Sequence, residues 1–263
     1  MRLSRTVIQL LASWFGMDAQ RCFSCAIAIA TVCASTPTVN SQQIFLDDFE
    51  DGSLTNDLPL DNDGNAVVWQ SIAPPNNNGT ASVQSGALRL ETPDGGGSMV
   101  LYVPHAPLAD VSVRTLVQQG GATGATSVVA RGDVVALNAY QGGFSTTSGN
   151  LYIGRNDNGN PTTLIRTPAD FDSENDINLQ FDVLGSTLSL YAWPAGTDRP
   201  LEPSLTFEDS LYTQGVAAVL LDNNGPGWAA FDFVSVNAIP EPSSASLFAV
   251  GILGLLRRRR KSR

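Results

Sequence analysis

The sequence predicts an all-β fold, an antiparallel β-sandwich, and three observations carry the prediction. Between Ile44 and Ala238, short runs of β-favouring residues recur at the roughly 8–12-residue spacing of sandwiches and barrels. Glycine and asparagine clusters separate them: Gly95-Gly96-Gly97, Gly120-Gly121, Gly142-Gly143 and Asn156-Asp157-Asn158-Gly159. These residues supply the backbone conformations that turns require. No segment of this region sustains the helical apolar period of about 3.6 residues. At 195 residues, the region is long enough to bury one large core.

Taken in order, residues 36–43 form a polar spacer. Residues 44–49 read as a first strand that ends at the turn Glu50-Asp51-Gly52. Residues 54–65 are rich in Asp, Asn, Pro and Gly and read as loop, as do residues 74–79. A second strand is predicted between those loops, over 66–72. Further strands are predicted over 87–91, 99–103, 111–118, 127–131, 134–140, 151–155 and 163–166. The clearest unit follows. Ile177, Leu179, Phe181 and Val183 alternate with Asn178, Gln180 and Asp182, which turns one face to a core and the other to water. Gly185-Ser186 is a tight turn, and residues 187–193 return as the partner of an antiparallel hairpin. Residues 216–221 are almost continuously apolar, the pattern of a strand buried on both faces. Residues 228–236 close the domain, with Phe231 and Phe233 expected on one face.

Charge and cysteine content exclude several classes of function. All three cysteines, Cys22, Cys25 and Cys33, precede the sandwich. The domain therefore has neither a disulfide nor a thiol nucleophile. Residues 44–238 hold six arginines and no lysine against 23 Asp and Glu, a formal charge of −17. Such a surface repels phosphate backbones, which argues against nucleic acid as a partner. It favours solubility and attracts Ca²⁺.

The two ends read as targeting segments. The chain opens with a basic start, then apolar stretches, then Val32-Cys33-Ala34, a small-x-small cleavage pattern. Residues 1–34 are read as a secretory signal peptide, with Met17 as an alternative start. A lipid anchor on Cys33 fits less well, because Val32 stands where a small residue is expected. At the other end, Pro240 and Pro242 fix an extended segment around Glu241. An apolar run over 245–256 follows, then Arg257, Arg258, Arg259, Arg260 and Lys261. An apolar run stopped by basic residues predicts a membrane-inserted helix with its basic end in the cytoplasm. It is shorter than the roughly 17–25 residues of an ordinary span, so the flanking serines and snorkelling arginines must extend it. An amphipathic or disordered tail is the other reading.

Pro240-Glu241-Pro242, the apolar segment with Gly251 and Gly254, and the terminal arginines together resemble the PEP-CTERM sorting signal. The resemblance implies an exported protein of an exopolysaccharide-producing bacterium. Its tail would sit transiently in the inner membrane and be recognised, then cleaved near Pro-Glu-Pro, by an exosortase. The mature protein would reside at the cell surface or in the extracellular matrix. The chain thus divides into a signal peptide (1–34), a spacer (35–43), the sandwich (44–238) and the sorting signal (239–263).

The sandwich itself resembles a concanavalin A-like (laminin G-like) jelly roll. The residues that carry this are the start from Phe45 to Gly52, Trp69, Gly86-Ala87-Leu88-Arg89-Leu90, the hairpin at 177–193 and the final Ala230 to Val236. The resemblance implies that the first and last strands pair. Another β-sandwich or a small β-propeller also fits the pattern.

Three kinds of chemistry are testable against these residues. Asp47, Asp48, Glu50 and Asp51 cluster near the first strand and Asp232 lies in the last. If those strands pair, Asp48, Glu50 and Asp232 are a candidate Ca²⁺ set; the alternative is a turn of solvated acids. Asp61-Asn62-Asp63-Gly64-Asn65 fails as an EF-hand loop, because Ala66 replaces the required glycine. One histidine and no cysteine in the domain argue against zinc.

For catalysis, His105 is the only histidine, and no Gly-x-Ser-x-Gly turn accompanies it. It is read as an ordinary loop residue. A glycosidase needs a carboxylate pair facing a cleft, and no Glu-x-Asp-x-x-Glu strand marks one. For sugar contact, Tyr191 and Trp193 share the polar-side parity of their hairpin and are the best exposed candidates. Arg131-Gly132-Asp133 reads as a β-turn, and Asn78-Gly79-Thr80 is a formal sequon in a loop. The expected function is a surface-targeted matrix protein that contacts polysaccharide. A glycan-acting hydrolase and a ligand-free scaffold are the two alternatives.

Overall fold

Fifteen strands build the described part of the chain, and no helix occurs in it. The computed structural model describes residues 42–55, 66–72, 78–121, 124–171 and 176–240. The signal-peptide reading, the apolar run and the basic tail lie outside these residues. So do the loops over 56–65 and 73–77.

The strands are β1 (Gln42–Asp47), β2 (Gln70–Ile72), β3 (Thr80–Gln84), β4 (Ala87–Thr92), β5 (Gly97–Tyr102), β6 (Val111–Gly121), β7 (Gly124–Asp133) and β8 (Asn138–Ser145). Then come β9 (Asn150–Asp157), β10 (Asn160–Pro168), β11 (Ile177–Leu184), β12 (Thr187–Pro194), β13 (Leu205–Glu208), β14 (Val216–Asn223) and β15 (Gly227–Ala238). They form two antiparallel sheets. The first has the order β13-β12-β11-β6-β15-β4-β3, with β1 added beside β15. The second has the order β10-β9-β8-β7-β14-β5-β2.

The long last strand, β15, organises the first sheet. One side pairs with β6 along its whole length. The other side pairs first with β4, through Gly227↔Thr92 to Phe231↔Leu88. It then pairs with β1, through Asp47↔Val234 to Gln42↔Ala238. The first and last strands are thus neighbours, as the jelly-roll resemblance implies. The hairpin β11–β12 keeps the predicted register from Ile177↔Pro194 to Leu184↔Thr187. Gly185 turns it at φ 57°, where a glycine meets no steric penalty.

A single core lies between the sheets. Phe45, Leu88, Leu90, Phe144, Ile153, Leu179, Phe181, Leu190, Val219 and Phe231 all face it and are almost completely buried. Each such side chain contributes about 1.5–3 kcal/mol. The sheets close tightly at Gly142, where a Cβ would stand 2.7 Å from the Phe181 ring. Strand β14 is buried on both sides, as its apolar run predicts. Ala217, Val219 and Leu221 face the core, while Ala218 and Leu220 join Val100 and Val129 in a second cluster on the outer side.

The structure corrects several local expectations. Phe231 and Phe233 do not share a face. The register of β15 shifts between them, so Asp232 is an extra, bulged residue. Phe231 enters the core and Phe233 turns outward. Residues 134–137 are a turn rather than the start of a strand, and Val135 is 89% exposed. The Asp133 carboxylate accepts the backbone N–H groups of Val135 and Ala136, both at 2.9 Å, and thereby caps the turn. Of the predicted second strand Gln70–Ile72 form the strand, and Ala66 makes an isolated bridge. Trp69 instead packs into the core against Phe45 and Phe49. Strands β3 and β13 were not predicted. Each lies at a sheet edge with one hydrogen-bonded neighbour and offers only two apolar positions of alternation.

Candidate functional site

Pairing in the first sheet sets outward side chains into rows across the strands. One row runs Tyr191 (β12), Gln180 (β11), Arg114 (β6), Ser235 (β15) and Leu46 (β1). The next runs Ser189, Asp182, Ser112 and Asn237. Neighbouring strands are about 4.8 Å apart, so each row places its polar groups within reach of one ligand. Between the rows and Phe233 lies an open groove of about 470 Å³.

The floor of the groove is a hydrogen-bonded network. Asp182 accepts from Ser112 Oγ at 2.5 Å and from Gln180 Nε2 at 2.9 Å. Arg199 donates to Gln180 Oε1 at 2.9 Å and lies 3.7 Å from the Asp182 carboxylate. Asn237 donates to Ser235 Oγ at 2.9 Å. Arg114 makes one longer contact, to Asn178 Oδ1 at 3.4 Å.

Tyr191 and Trp193 lie on this face, as their parity predicts, but neither presents a bare ring. The Arg199 guanidinium covers Tyr191 at 3.8 Å from the ring centroid. Arg114 lies over Trp193 at 5.3 Å and over Phe233 at 5.6 Å. Trp193 is only 4% exposed, which corrects the expectation of an exposed indole. Farther along the sheet, Trp228 lies over Gly120 on one side and under Arg89 at 4.2 Å on the other. Residues 44–238 contain six arginines, and three of them cap aromatics of this one face. Each such contact contributes about 0.5–1 kcal/mol at an exposed site. Sequence reading found Tyr191 and Trp193 by parity. It missed Ser112, Arg114 and Asn237, because only the pairing of β6 with β11 and β15 brings them together.

The carboxylates expected to share a metal do not assemble. Asp48 and Glu50 are exposed in one turn, where the Asp48 carboxylate accepts the Glu50 N–H at 3.4 Å. Asp232 is exposed on the bulge. Among the described residues no group of three or more His, Cys, Asp or Glu is placed to hold a metal ion. The Ca²⁺ set Asp48, Glu50 and Asp232 therefore does not fit this geometry. It is Asp47 that turns inward. It accepts the Trp69 indole N–H at 2.7 Å and the Phe49 N–H at 2.9 Å. Burial raises its pKa, partly offset by these hydrogen bonds. Asp47 fixes the core tryptophan and is a structural group.

His105 is also a structural clamp. Its Nε2 accepts the Ala217 N–H at 3.1 Å, so its Nδ1 carries the proton toward Ala106 O at 2.7 Å. Burial lowers its pKa. A second polar cluster is likewise internally satisfied. Tyr140 donates to Asp209 at 2.7 Å, Arg155 bridges Asp209 and Asp157, and Tyr212 donates to Asp157. Arg131, almost fully buried, donates to Ala109 O, Tyr212 O and Asp110. Its Arg-Gly-Asp tripeptide is part of the strand end.

The sandwich ends at β15, and Ile239 makes the last tie, its N–H donating to Asp110 O at 3.0 Å. Pro240 follows and is exposed. Residues 238–261 match the PEP-CTERM protein-sorting motif. The chain carries a PEP-CTERM sorting signal. Such a signal marks an exported protein sorted to the cell envelope or surface. The PEP-CTERM segment thus begins where the last strand ends, at an exposed point of the fold.

No curated protein matches the chain by sequence. Among solved structures, the carbohydrate-binding module CBM66 from Bacillus subtilis superposes with a TM-score of 0.53 at 15% identity, over 65% of this chain and 95% of that one. The exoplasmic/lumenal domain of VIP36, in a Ca²⁺/Man2-bound form, gives 0.54 at 11% identity, over 72% and 87%. SCLam, a non-specific endo-beta-1,3(4)-glucanase of family GH16, gives 0.53 at 13% identity, over 78% and 93%. At these identities the likeness establishes the fold, a jelly-roll sandwich.

Proposed function

We propose that this chain is an exported surface protein that contacts extracellular polysaccharide along the outer face of its first sheet. The observation that carries the reading is the groove of about 470 Å³ floored by Ser112, Gln180, Asp182 and Asn237. Sugar hydroxyls both donate and accept. A floor of carboxylate, amide and hydroxyl groups matches that chemistry. Phe233 lines it and Tyr191 stands in the adjoining row, aromatic surface that complements the apolar side of a sugar ring. A glycan that stacks on Tyr191 must first displace Arg199. The carbohydrate-binding and lectin neighbours support the reading through the fold alone.

Binding fits the groove better than hydrolysis. A carboxylate-pair mechanism needs two acids flanking the scissile bond. The groove is lined by one acid, Asp182, already engaged by Ser112, Gln180 and Arg199. An exosortase would process the tail near Pro240-Glu241-Pro242 after Arg257, Arg258, Arg259 and Arg260 hold its cytoplasmic end.

The test is binding of the host's own extracellular polysaccharide to the full chain. Gln180→Ala with Asn237→Ala should weaken binding tenfold or more, by the loss of about two hydrogen bonds. Unchanged binding in a folded double variant would reject the face. Release of sugar by the wild-type chain would favour the hydrolase.

A further inference from the structure

Resting on the glycan reading, we infer that the groove takes an acidic saccharide, one bearing a uronate carboxylate, through Arg114. Arg89 pairs with Glu91, Arg131 with Asp110, Arg155 with Asp157 and Asp209, and Arg199 with Asp182. Arg114 and Arg166 have no carboxylate within ion-pair distance among the described residues, although the domain around them carries 23 acids, and of the two only Arg114 lines the groove. It stands in the middle strand of the groove, between Gln180 and Ser235.

Position and orientation both favour a ligand. Trp193 and Phe233 hold the guanidinium from beside it, at 5.3 and 5.6 Å. Its one hydrogen bond to a side chain among the described residues is the one to Asn178. Asn178 takes one of the five donors at 3.4 Å. The remaining fork matches the two oxygens of a carboxylate. Charge balance agrees. Asp182 is neutralised by Arg199, so Arg114 leaves the groove locally positive in a domain of net charge −17. A neutral glycan could accept hydrogen bonds there but would gain nothing from the charge. A polyanion would find here one of the few attractive points on an otherwise repelling surface.

The experiment titrates the full chain in detergent with two oligosaccharides of equal length, one of uronic acid units and one neutral. Wild type, Arg114→Gln and Arg114→Lys are compared at low and physiological salt. The uronate ligand should bind wild type more tightly than the neutral one and weaken as salt rises. Arg114→Gln should lose roughly tenfold to a hundredfold for the uronate, and about twofold or less for the neutral ligand. Arg114→Lys should recover part of the loss, since it restores charge without the bidentate fork. Arg114 is exposed, so the variants should stay folded and melt no more than a few degrees below the wild type, the loss of its two ring contacts. Equal affinity for both ligands, or a uronate preference that survives Arg114→Gln, would overturn the inference and leave the glycan reading standing. Failure of both ligands to bind would overturn both.

Discussion

The outer face of the first sheet carries Ser112, Arg114, Gln180, Asp182 and Asn237 in rows, whereas that of the second gathers Val100, Val129, Ala218 and Leu220 into an apolar cluster with Ile72, Tyr102 and Ala139. Both sheets alternate in the same way, and both give their inner residues to the one core. The fold therefore constrains only the inward positions of each strand. The outward positions differ because no requirement of the sandwich dictates them. On the first sheet they form a network of charged and amide groups around a groove. On the second they add packing. The first sheet is thus the place to look for a ligand, and the second the place to look for stability.

The largest effect should come from the core that both faces share. Phe181→Ala removes a fully buried ring packed on Gly142 and should cost about 3–5 kcal/mol in denaturant unfolding. A loss well below that would mean the sheets are not held by this contact.

The next comparison sets one outer face against the other. Leu220→Ala, on the second sheet, should cost about 2–3 kcal/mol, because Leu220 is only 8% exposed. Gln180→Ala, on the first, should cost about 1 kcal/mol or less, as part-exposed side-chain hydrogen bonds do. Equal losses would erase the distinction between a packing face and a binding face.

The smallest effect is set by pH. His105 has a folded-state pKa below 6.5, so the unfolded chain binds its proton first. The stability tied to neutral His105 is fully present above pH 6.5 and is lost as pH falls through the lowered value. Thermal melts of wild type against His105→Ala should show this component of the slope only in wild type. Parallel slopes would remove His105 as a clamp.

The hairpin at 177–193 was legible because its apolar residues alternate without interruption and Gly185-Ser186 marks the turn. The pairing of β1 with β15 came from the jelly-roll resemblance. What could not be read were features set by neighbours distant in sequence. The bulge at Asp232, which separates Phe231 from Phe233, is invisible to a period-two count. Val135 looked like strand because it is β-branched, but the Asp133 cap made it turn. For the site, parity placed Tyr191 and Trp193 on the outer face. It could not reveal that Arg199 and Arg114 lie over their rings, since Arg114 is almost eighty residues from Trp193. Nor could it show that Asp48, Glu50 and Asp232 point into solvent while Asp47 alone turns inward.

Hydroxyl-radical footprinting of the full chain, with and without the host's extracellular polysaccharide, tests the central claim most directly. Each face offers partly exposed aromatic reporters: Tyr191 and Phe233 on the first sheet, Tyr102 and Tyr152 on the second. The account predicts that polysaccharide slows oxidation of Tyr191 and Phe233 and leaves Tyr102 and Tyr152 unchanged. Protection of Tyr102 and Tyr152 with Tyr191 and Phe233 unaffected would contradict it and move the ligand to the opposite face.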